Sequence, residues 1–260
     1  MTLSLSDRDA IDIIGRSDLV TAPLDMVRTQ IAGGFIDQTR DRPNFWHGNR
    51  IVLNAPPAKR DYQRWIARHR EAFAWREQQL PVVVTWYERY VARPHESRDE
   101  SIERSTGFLA PLAPPEPPRP VGLQSATVDT SELWDGLGTL AERVYPEHGA
   151  FNRWRVSTLR ELTQRGLGRV RVLLDSNGVP VSAVGAFSRN GIARFSGVIT
   201  DPRYRQRGCA SYLIAATLRD FRDINDRIVI AAETGSDAER LYVGLGFEPF
   251  ATICSLVVKP

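Results

Sequence analysis

The stretch Gly197-Val-Ile-Thr-Asp-Pro-Arg-Tyr-Arg-Gln-Arg-Gly-Cys-Ala-Ser211 lies between an apolar run typical of a β-strand and a segment with the periodicity of an amphipathic helix. Such a turn points the unpaired amides of the helix N-terminus outward, where they and the helix dipole attract anions. Gly208 and Ala210 are small enough to let a phosphate approach the backbone. Pro202 cannot donate to a ladder, so strand pairing should end there. The sequence therefore predicts a pyrophosphate-binding turn.

Three arginines, Arg203, Arg205 and Arg207, add positive charge to this turn, and guanidinium groups suit phosphate oxygens. On their own, these arginines would indicate only a solvated loop, which is the usual fate of a charged run. The turn also lacks the G-x-x-x-x-G-K-[ST] and G-x-G-x-x-G patterns of the common nucleotide loops. The combination of strand, small residues, arginines and helix nevertheless favours an anion site.

The segments on either side of the turn indicate a mixed α+β domain. Upstream, Asn177-Gly178 and Asn190-Gly191 are hairpin signals that join three strand-like runs into an antiparallel meander. Downstream, helical periodicity starts at Ala210 and again at Ala238, and the apolar run Ile228-Val-Ile-Ala-Ala232 between them is typical of a buried strand. The predicted order after residue 122 is strand, two helices, three antiparallel strands, helix, strand, helix, strand.

Two short patterns resemble the signatures of one enzyme family. The run Arg205-Gln206-Arg207-Gly208-Cys209-Ala210 resembles the R/Q-x-x-G-x-G/A signature of the GNAT superfamily of N-acetyltransferases. Further along, Ala238-x-x-Leu241-Tyr242-x-x-x-Gly246-Phe247 resembles the family's A-x-x-L-Y-x-x-x-G-F element. Both stand in the family's order on matching predicted elements, and the resemblance extends from Leu123 to the C-terminus. It implies a GNAT-like, mostly antiparallel mixed sheet flanked by helices.

The resemblance also implies a cosubstrate, acetyl-CoA, and roles for individual residues. The backbone of the strand ending at Thr200 would bind the pantetheine arm like an added strand, and the amides of the turn would hold the pyrophosphate. The acyl group would lie where this strand splays from the strand at residues 228–232, and an acceptor amine would attack the thioester carbonyl directly. The implied cofactor-binding residues are Val198, Ile199, Thr200, Arg205, Gln206, Arg207, Gly208, Cys209, Ala210, Ser211 and Ser236.

Catalysis is assigned to one residue by the same resemblance. Tyr242 matches the tyrosine that in many members protonates the departing thiolate, and a phenol within reach can act as a general acid. Because Tyr242 also falls on the apolar stripe of its helix, a packed core tyrosine is an equal alternative. The thiol of Cys209, at a helix N-terminus beside arginines, should have a lowered pKa. Direct transfer needs no such nucleophile, so Cys209 is expected to be a small residue of the turn.

Two positions depart from the family pattern. Gly235-Ser236 stands where many members have Asn, so a contact from Ser236 to the cofactor is open. No carboxylate occurs between Ala193 and Thr200, where the base is often found. Glu233 is the nearest candidate, although a solvated strand end or a water relay explains the sequence as well. The base is therefore unassigned.

The proline-rich run PLAPPEPPRP, residues 111–120, is a stiff spacer. It predicts an N-terminal module at 1–110, a linker at 111–121 and a GNAT domain at 122–260. Within the first module, Phe45-Trp46-His47-Gly48-Asn49-Arg50 and a helix predicted over 59–78 resemble the leading half of some two-module GNAT proteins. Because it has no R-x-x-G-x-G/A pattern, this smaller α/β module is expected to be an incomplete copy that shapes the acceptor cleft or an interface.

Composition narrows the class of protein. The chain has 260 residues, of which 42% are hydrophobic and 25% charged, so disorder of the whole chain is excluded. Two cysteines and four scattered histidines predict neither a disulfide framework nor a metal site. With no secretory leader and no apolar stretch near the roughly 20 residues that span a bilayer, a cytoplasmic protein without membrane contact is expected. The net charge of +3, without aromatics between the arginines, argues against nucleic-acid binding.

These features together predict an enzyme that moves an acetyl group from acetyl-CoA to a primary amine. The alternative, motivated by the missing carboxylate, is a non-catalytic module that binds acetyl-CoA or CoA without turnover. The acceptor would be a small-molecule amine or a peptide amine. Amino acids, antibiotics, peptide N-termini and lysine side chains all remain open, because residues that contact the acceptor lie outside the motifs. Oligomeric state is not predicted.

Overall fold

The computed structural model describes residues 5–42, 45, 48–76, 81–92, 101–113, 116–225 and 227–259. The helices are α1 (Asp7–Val20), α2 (Tyr62–Ala72), α3 (Ser131–Val144), α4 (Gly149–Gln164), α5 (Cys209–Arg222) and α6 (Asp237–Gly244). The strands are β1 (Val27–Ile31), β2 (Gly34–Gln38), β3 (Arg50–Leu53), β4 (Val82–Arg89), β5 (Ile102–Leu109), β6 (Gln124–Thr127), β7 (Gly168–Leu174), β8 (Pro180–Arg189), β9 (Ile192–Thr200), β10 (Arg227–Glu233) and β11 (Glu248–Val258).

These strands form a single sheet in the order β1-β2-β3-β4-β11-β5-β10-β9-β8-β7-β6. Neighbours are antiparallel except for the pairs β3/β4 and β9/β10. Because side chains alternate between faces along a strand, the sheet carries two main cores. One core packs against α1, α3 and α4, and the other packs against α5 and α6. A mixed, mostly antiparallel sheet flanked by helices confirms the predicted fold class.

The C-terminal strand crosses into the first half of the sheet. Along one edge β11 pairs with β4, where Val258 lies opposite Val82, and along the other it pairs with β5. Strand β5 in turn pairs with β10. The sheet is thus continuous across the expected linker, whose described residues 111–113 and 116–121 contain no helix or strand. The boundaries at 1–110, 111–121 and 122–260 stay a prediction.

Local signals place the elements after residue 122 in the predicted order. The β8–β9 connection has positive φ at both Asn190 and Gly191 (50° and 75°), as a tight hairpin requires. Thr130 caps α3 by accepting from the Leu133 amide at 3.3 Å. Gly246, with φ of 80°, follows the C-cap of α6. The antiparallel meander β7-β8-β9 is confirmed.

The first half contains elements that the sequence analysis missed, namely α1, β1 and β2. The signal for α1 was present, because Ser6 caps it and Ala10, Ile13 and Ile14 repeat at helical spacing and are buried. Helix α2 ends at Ala72, earlier than the predicted 59–78 helix. The last two residues of that prediction lie outside the described residues, as do Trp46 and His47 of the N-terminal resemblance.

Candidate active site

The turn after β9 is held together by a buried carboxylate, Asp201, which is 1% exposed. Its oxygens accept from the Arg203 amide at 3.0 Å and from the Arg203 guanidinium at 3.0 and 2.8 Å. The guanidinium of Arg143 in α3 lies 3.5 Å away. The hydrogen bonds from Arg203 hold the pKa of Asp201 at about 2, so the carboxylate is charged at neutral pH. Arg203 therefore makes its contacts within the turn itself. Sequence analysis did not single out Asp201.

The helix that follows the turn begins without a side-chain cap. Gln206 and Gly208 adopt left-handed backbone conformations, with φ of 60° and 74°. Gly208 is the N-cap of α5, where no side chain accepts a hydrogen bond from the first turn. No atom lies within 4 Å of the place where a Cβ on Gly208 would stand. This 14-residue helix thus begins with open space beside Gly208 and with no side chain that satisfies its first amides.

Two arginines of the turn stay on its surface. Arg205 donates weakly to the Thr200 carbonyl, at 3.5 Å, and Arg207 stacks its guanidinium over the Tyr204 ring, 5.2 Å from its centroid. Both are exposed. The structure therefore brings together the residues predicted for pyrophosphate binding on one exposed corner. Of these, Ala210 and Ser211 are partly buried in the first turn of α5.

The two central strands separate beside this turn. Strands β9 and β10 pair in parallel for three residues only, the last being Arg194 opposite Val229. Beyond that point β9 stays paired with β8 as far as Thr200, and β10 stays paired with β5 as far as Glu233. A bulge at Gly197, with φ of 66°, bends β9 at the opening. The gap between the facing edges lies where the resemblance places the acyl group.

The residues predicted to bind the pantetheine arm follow that bulge. Val198 packs toward α5 and Ile199 toward the opposite face, which leaves their backbone on the edge of the gap. The Ser182 hydroxyl of β8 lies 3.1 Å from the Ile199 carbonyl and 2.9 Å from the Thr200 hydroxyl. These contacts hold the edge of β9 that faces β8. The opposite edge, which faces the gap, is not paired with β10.

A cavity of about 490 Å³ opens from the gap on the face covered by α1, α3 and α4. Its walls include charged side chains from both halves of the chain. Asp18 of α1, Arg50 of β3 and Glu103 of β5 come from the first half, and Arg155 of α4 and Arg194 of β9 come from the second. Gly197, Val198 and Ile199 of β9 and Ala231, Ala232 and Glu233 of β10 complete the wall beside the gap.

One partly buried carboxylate, Asp18, organises the cavity floor. Asp18 accepts from Arg50 at 2.7 Å and from the Tyr87 hydroxyl at 3.0 Å, and the Arg194 guanidinium lies 4.0 Å from it. Burial alone would raise the pKa of Asp18, but the two arginines overcome this effect and lower it to about 2. Asp18 is thus charged and already engaged at neutral pH. No pattern in the sequence had indicated this group, since its partners come from distant segments.

Tyr242 lies in the core of the second half and is 3% exposed. Its ring meets the edge of Phe108 at 5.9 Å and lies 6.1 Å from Phe247. Burial raises the pKa of the phenol, while the charge of Arg194 lowers it in part. The phenol is therefore protonated at neutral pH and stands within the electrostatic reach of a cavity residue. Both roles considered for Tyr242, core residue and proton donor, are compatible with this position.

The pKa of the Cys209 thiol is raised, whereas the sequence predicted that it would be lowered. Cys209 is 2% exposed, and its Sγ lies 3.5 Å from the Tyr204 carbonyl. Burial raises its pKa, and this effect outweighs the lowering by Arg207. The expected lowering of the thiol pKa is therefore wrong, because the side chain points into the α5 core rather than toward the amides. Such a thiol is a poor nucleophile at neutral pH.

Other candidate residues occupy defined places around the gap. The Ser236 hydroxyl caps α6 by accepting from the Glu239 amide at 3.3 Å. Glu233, the candidate base, ends β10 in the cavity wall together with Glu103, which sequence analysis had not considered. Burial and the nearby charge of Glu233 raise the pKa of Glu103, and Lys259 lowers it in part. Among the described residues no cluster of three or more His, Cys, Asp or Glu could hold a metal ion.

The helices of the described residues include none that is both long and apolar enough to cross a membrane.

Comparison with protein-family models matches residues 134–247 to the Acetyltransferase (GNAT) family. The matched segment contains the turn, the gap between β9 and β10, and Tyr242. A comparison with curated proteins finds no match.

Solved structures of similar fold cover nearly the whole chain. A functionally unknown conserved protein from Staphylococcus epidermidis ATCC 12228 has a TM-score of 0.70 at 11% identity, covering 91% of this chain and 95% of that chain. A GCN5-related N-acetyltransferase from Kribbella flavida has a TM-score of 0.64 at 18% identity, covering 100% and 97%. A tandem GNAT protein from the clavulanic acid biosynthesis pathway has a TM-score of 0.58 at 13% identity, covering 96% and 93%.

At these identities the solved structures establish the fold, and the two-module architecture fits the tandem protein. Residues 134–247 match the acetyltransferase domain of the GNAT family, and the chain as a whole shares its fold with a solved GCN5-related N-acetyltransferase.

Proposed function

We propose that this protein transfers an acetyl group from acetyl-CoA to the primary amine of a small acceptor by direct attack. The observation that carries the proposal is the early end of β9–β10 pairing, at Arg194 opposite Val229, beside a cavity of about 490 Å³. The opening gives a thioester access to the acceptor cavity from the side of the turn. When bound, acetyl-CoA supplies the activated acetyl group.

The exposed corner fits the diphosphate of the cosubstrate. The uncapped amides at the start of α5 and the left-handed Gly208 leave room for phosphate oxygens against the backbone. Arg205 and Arg207 would add positive charge at the same corner. The unpaired edge of β9 from Val198 to Thr200 would bind the pantetheine amides as a neighbouring strand does.

The side chains around the gap suit the two proton transfers of the reaction. The acceptor nitrogen forms a bond to the carbonyl carbon while the carbon–sulfur bond breaks. A carboxylate of the cavity wall, Glu103 or Glu233, would accept the ammonium proton directly or through water. Tyr242 would donate its proton to the departing thiolate, and Arg194 would stabilise the charge on the phenol oxygen. No covalent bond to Cys209 is needed.

Acetyl-CoA binding by calorimetry and thiol release with a panel of amines test the proposal. Gly208→Glu should abolish acetyl-CoA binding, because a carboxylate would occupy the space meant for a phosphate. Gly166→Glu is the matched control: Gly166 also has positive φ (70°) with no neighbour within 4 Å, and it precedes β7 at the opposite end of the meander. Unchanged binding in Gly208→Glu would refute the phosphate site.

Tyr242→Phe separates the two roles of the tyrosine. The ring stays in the core, so acetyl-CoA binding should be unchanged while kcat falls by about 10²- to 10⁴-fold, the range for loss of a general acid. Tyr62→Phe, in the separate core cluster under α2, is the control. Full turnover in Tyr242→Phe would exclude the general-acid role. Acetyl-CoA binding without thiol release from any amine would favour a non-catalytic binding module.

A further inference from the structure

Three arginines, Arg50, Arg155 and Arg194, line the cavity around one carboxylate, Asp18. Outside the cavity lining, Arg50 also contacts Asp37, which pairs with Arg28. Asp37 is fully buried and accepts from Arg28 at 2.6 Å and from Arg50 at 3.3 Å, while Asp18 accepts from Arg50 at 2.7 Å. Both carboxylates are thus engaged by Arg28 and Arg50. Among the described residues Arg155 has no carboxylate in an ion pair, and Arg194 has only the long contact with Asp18 at 4.0 Å.

Within the described part of the chain, Arg155 has fewer partners than Arg194. Its guanidinium donates to the Ser196 hydroxyl and forms no ion pair with a carboxylate of the described residues. Burial, together with the charge of Arg194, lowers its pKa to about 10. A guanidinium has five N–H donors, and among the described residues the hydrogen bond to Ser196 uses only part of that capacity. Arg155 therefore faces the cavity with unused hydrogen-bonding capacity.

Arg194 is partly engaged by the first half of the chain. Its Nη1 donates to the Ser17 hydroxyl at 2.9 Å, and its Nη2 lies 4.0 Å from Asp18. Because Asp18 already accepts from Arg50 and Tyr87, it neutralises Arg194 only in part. Arg155 and Arg194 line the same cavity, and repulsion by the charge of Arg194 contributes to the lowered pKa of Arg155. An anion between them would relieve that repulsion.

The opposite wall of the cavity has the reverse charge. Glu103 and Glu233 lie in the wall that β5 and β10 provide, next to the gap between β9 and β10. An ammonium group would be attracted to that side and an anionic group to the arginine side. The cavity is therefore polarised along the path from the gap to the floor.

We propose that the acceptor is an amine that also bears a carboxylate, which binds between Arg155 and Arg194 while the amine points to the gap. This inference rests on the acetyl transfer proposed above. A carboxylate accepts paired N–H groups from guanidinium in a planar fork. A phosphate would place a second negative charge in a cavity already lined by Asp18, Glu103 and Glu233, so the monoanion fits better.

The first experiment measures substrate preference in matched pairs. Thiol release is followed with L-amino acids and ω-amino acids, each beside its carboxamide and its phosphonate analogue, and binding to the CoA complex is measured by thermal shift for the same set. We expect at least one acid to exceed its carboxamide about 10- to 100-fold in kcat/KM or affinity. If no acid exceeds its amide in either assay, or if the phosphonates bind best, the inference is wrong.

The two proposals fail in different ways. Turnover of amides at the same rate as acids overturns the carboxylate inference and leaves acetyl transfer standing. Loss of both acetyl-CoA binding and turnover for every amine overturns the proposed function as well.

Variants at one position test the assignment within the cavity. Arg155→Gln should raise KM for the acid about 10- to 100-fold, leave the amide unchanged, and leave KM for acetyl-CoA unchanged. Arg155→Lys should recover part of the preference. Arg153→Gln is the control, since Arg153 lies on the same helix with a side chain 71% exposed. Equal losses for acid and amide in Arg155→Gln would show a structural role and refute the inference.

Discussion

Asp201→Asn probes the buried carboxylate that fixes the turn between β9 and α5. The substitution keeps the size of the side chain but removes its charge. Asp201 accepts three hydrogen bonds from Arg203 and has Arg143 3.5 Å away. An amide can still accept from the Arg203 backbone, but its NH₂ group must face a guanidinium that offers only donors. The turn should therefore lose the side-chain contacts that hold it, and the substitution adds no bulk to the core.

The magnitude follows from the titration of the same group. A pKa of about 2 in place of the ordinary 3.8 corresponds to about 2.5 kcal/mol of preference for the charged form. Because the Arg203 side chain is 68% exposed, solvent screening reduces the expected loss of stability to about 1–2 kcal/mol. The folded-state pKa is lowered, so this contribution is fully present above about pH 4 and is lost as pH falls toward 2.

Urea unfolding at pH 7, followed by tryptophan fluorescence, measures the loss. Acetyl-CoA binding should weaken in the same variant, because the amides at the start of α5 are no longer held in place. Asp12→Asn is the control, since Asp12 forms an exposed pair with Arg16 at 3.3 Å and its loss should change stability by less than about 0.5 kcal/mol. If Asp201→Asn is as stable as Asp12→Asn and binds acetyl-CoA normally, the anchoring argument is refuted.

The remaining predictions concern four other positions. His69 is fully buried, and burial lowers its pKa to about 4. The free energy of unfolding should therefore fall by about 3 kcal/mol as pH drops from 7 to 4. A His69→Phe variant with the same acid sensitivity would contradict this. Cys209→Ala should keep kcat within about twofold because the thiol is buried, and a larger loss would restore a chemical role. Gly208→Ala should lose about 1 kcal/mol in urea unfolding from its left-handed backbone, with no contribution from a clash; a loss above about 3 kcal/mol would show hidden crowding. If Glu103 is the base, kcat/KM should fall at acidic pH with an apparent pKa above the usual glutamate range, because the pKa of Glu103 is raised. Glu103→Gln should remove this acidic limb, and an unchanged pH profile would exclude Glu103 as the base.

The features that sequence analysis recovered are local ones. The hairpin at Asn190-Gly191 and the end of α6 at Gly246 follow from backbone conformations that those residue types favour. The strand–turn–helix around Gly208 was recognised because its glycine, arginines and flanking periodicity lie within one short segment. Helix α1 could have been found in the same way from its cap at Ser6 and its apolar spacing.

The features that were missed depend on pairing between distant segments. Asp18 and Arg194 meet because α1 packs on β9, and nothing in the local pattern of either segment names the other. The position of β11 between β4 and β5 has the same origin, since apolar alternation specifies a strand but not its neighbours. Asp201 was missed because its burial is set by α3 and β8, which pack over the turn.

By itself the sequence determined the secondary structure of the second half and the strand–turn–helix form around Gly208, because short-range backbone preferences and hydrophobic periodicity decide both. Only the tertiary structure decided where the sheet opens, which groups face the opening, and that the first half supplies part of the cavity wall. The charge of that cavity is a sum over side chains brought together from α1, β3, β5, α4 and β9. Such a sum exists only after long-range packing has fixed distances and removed water, so it cannot be obtained from any one segment.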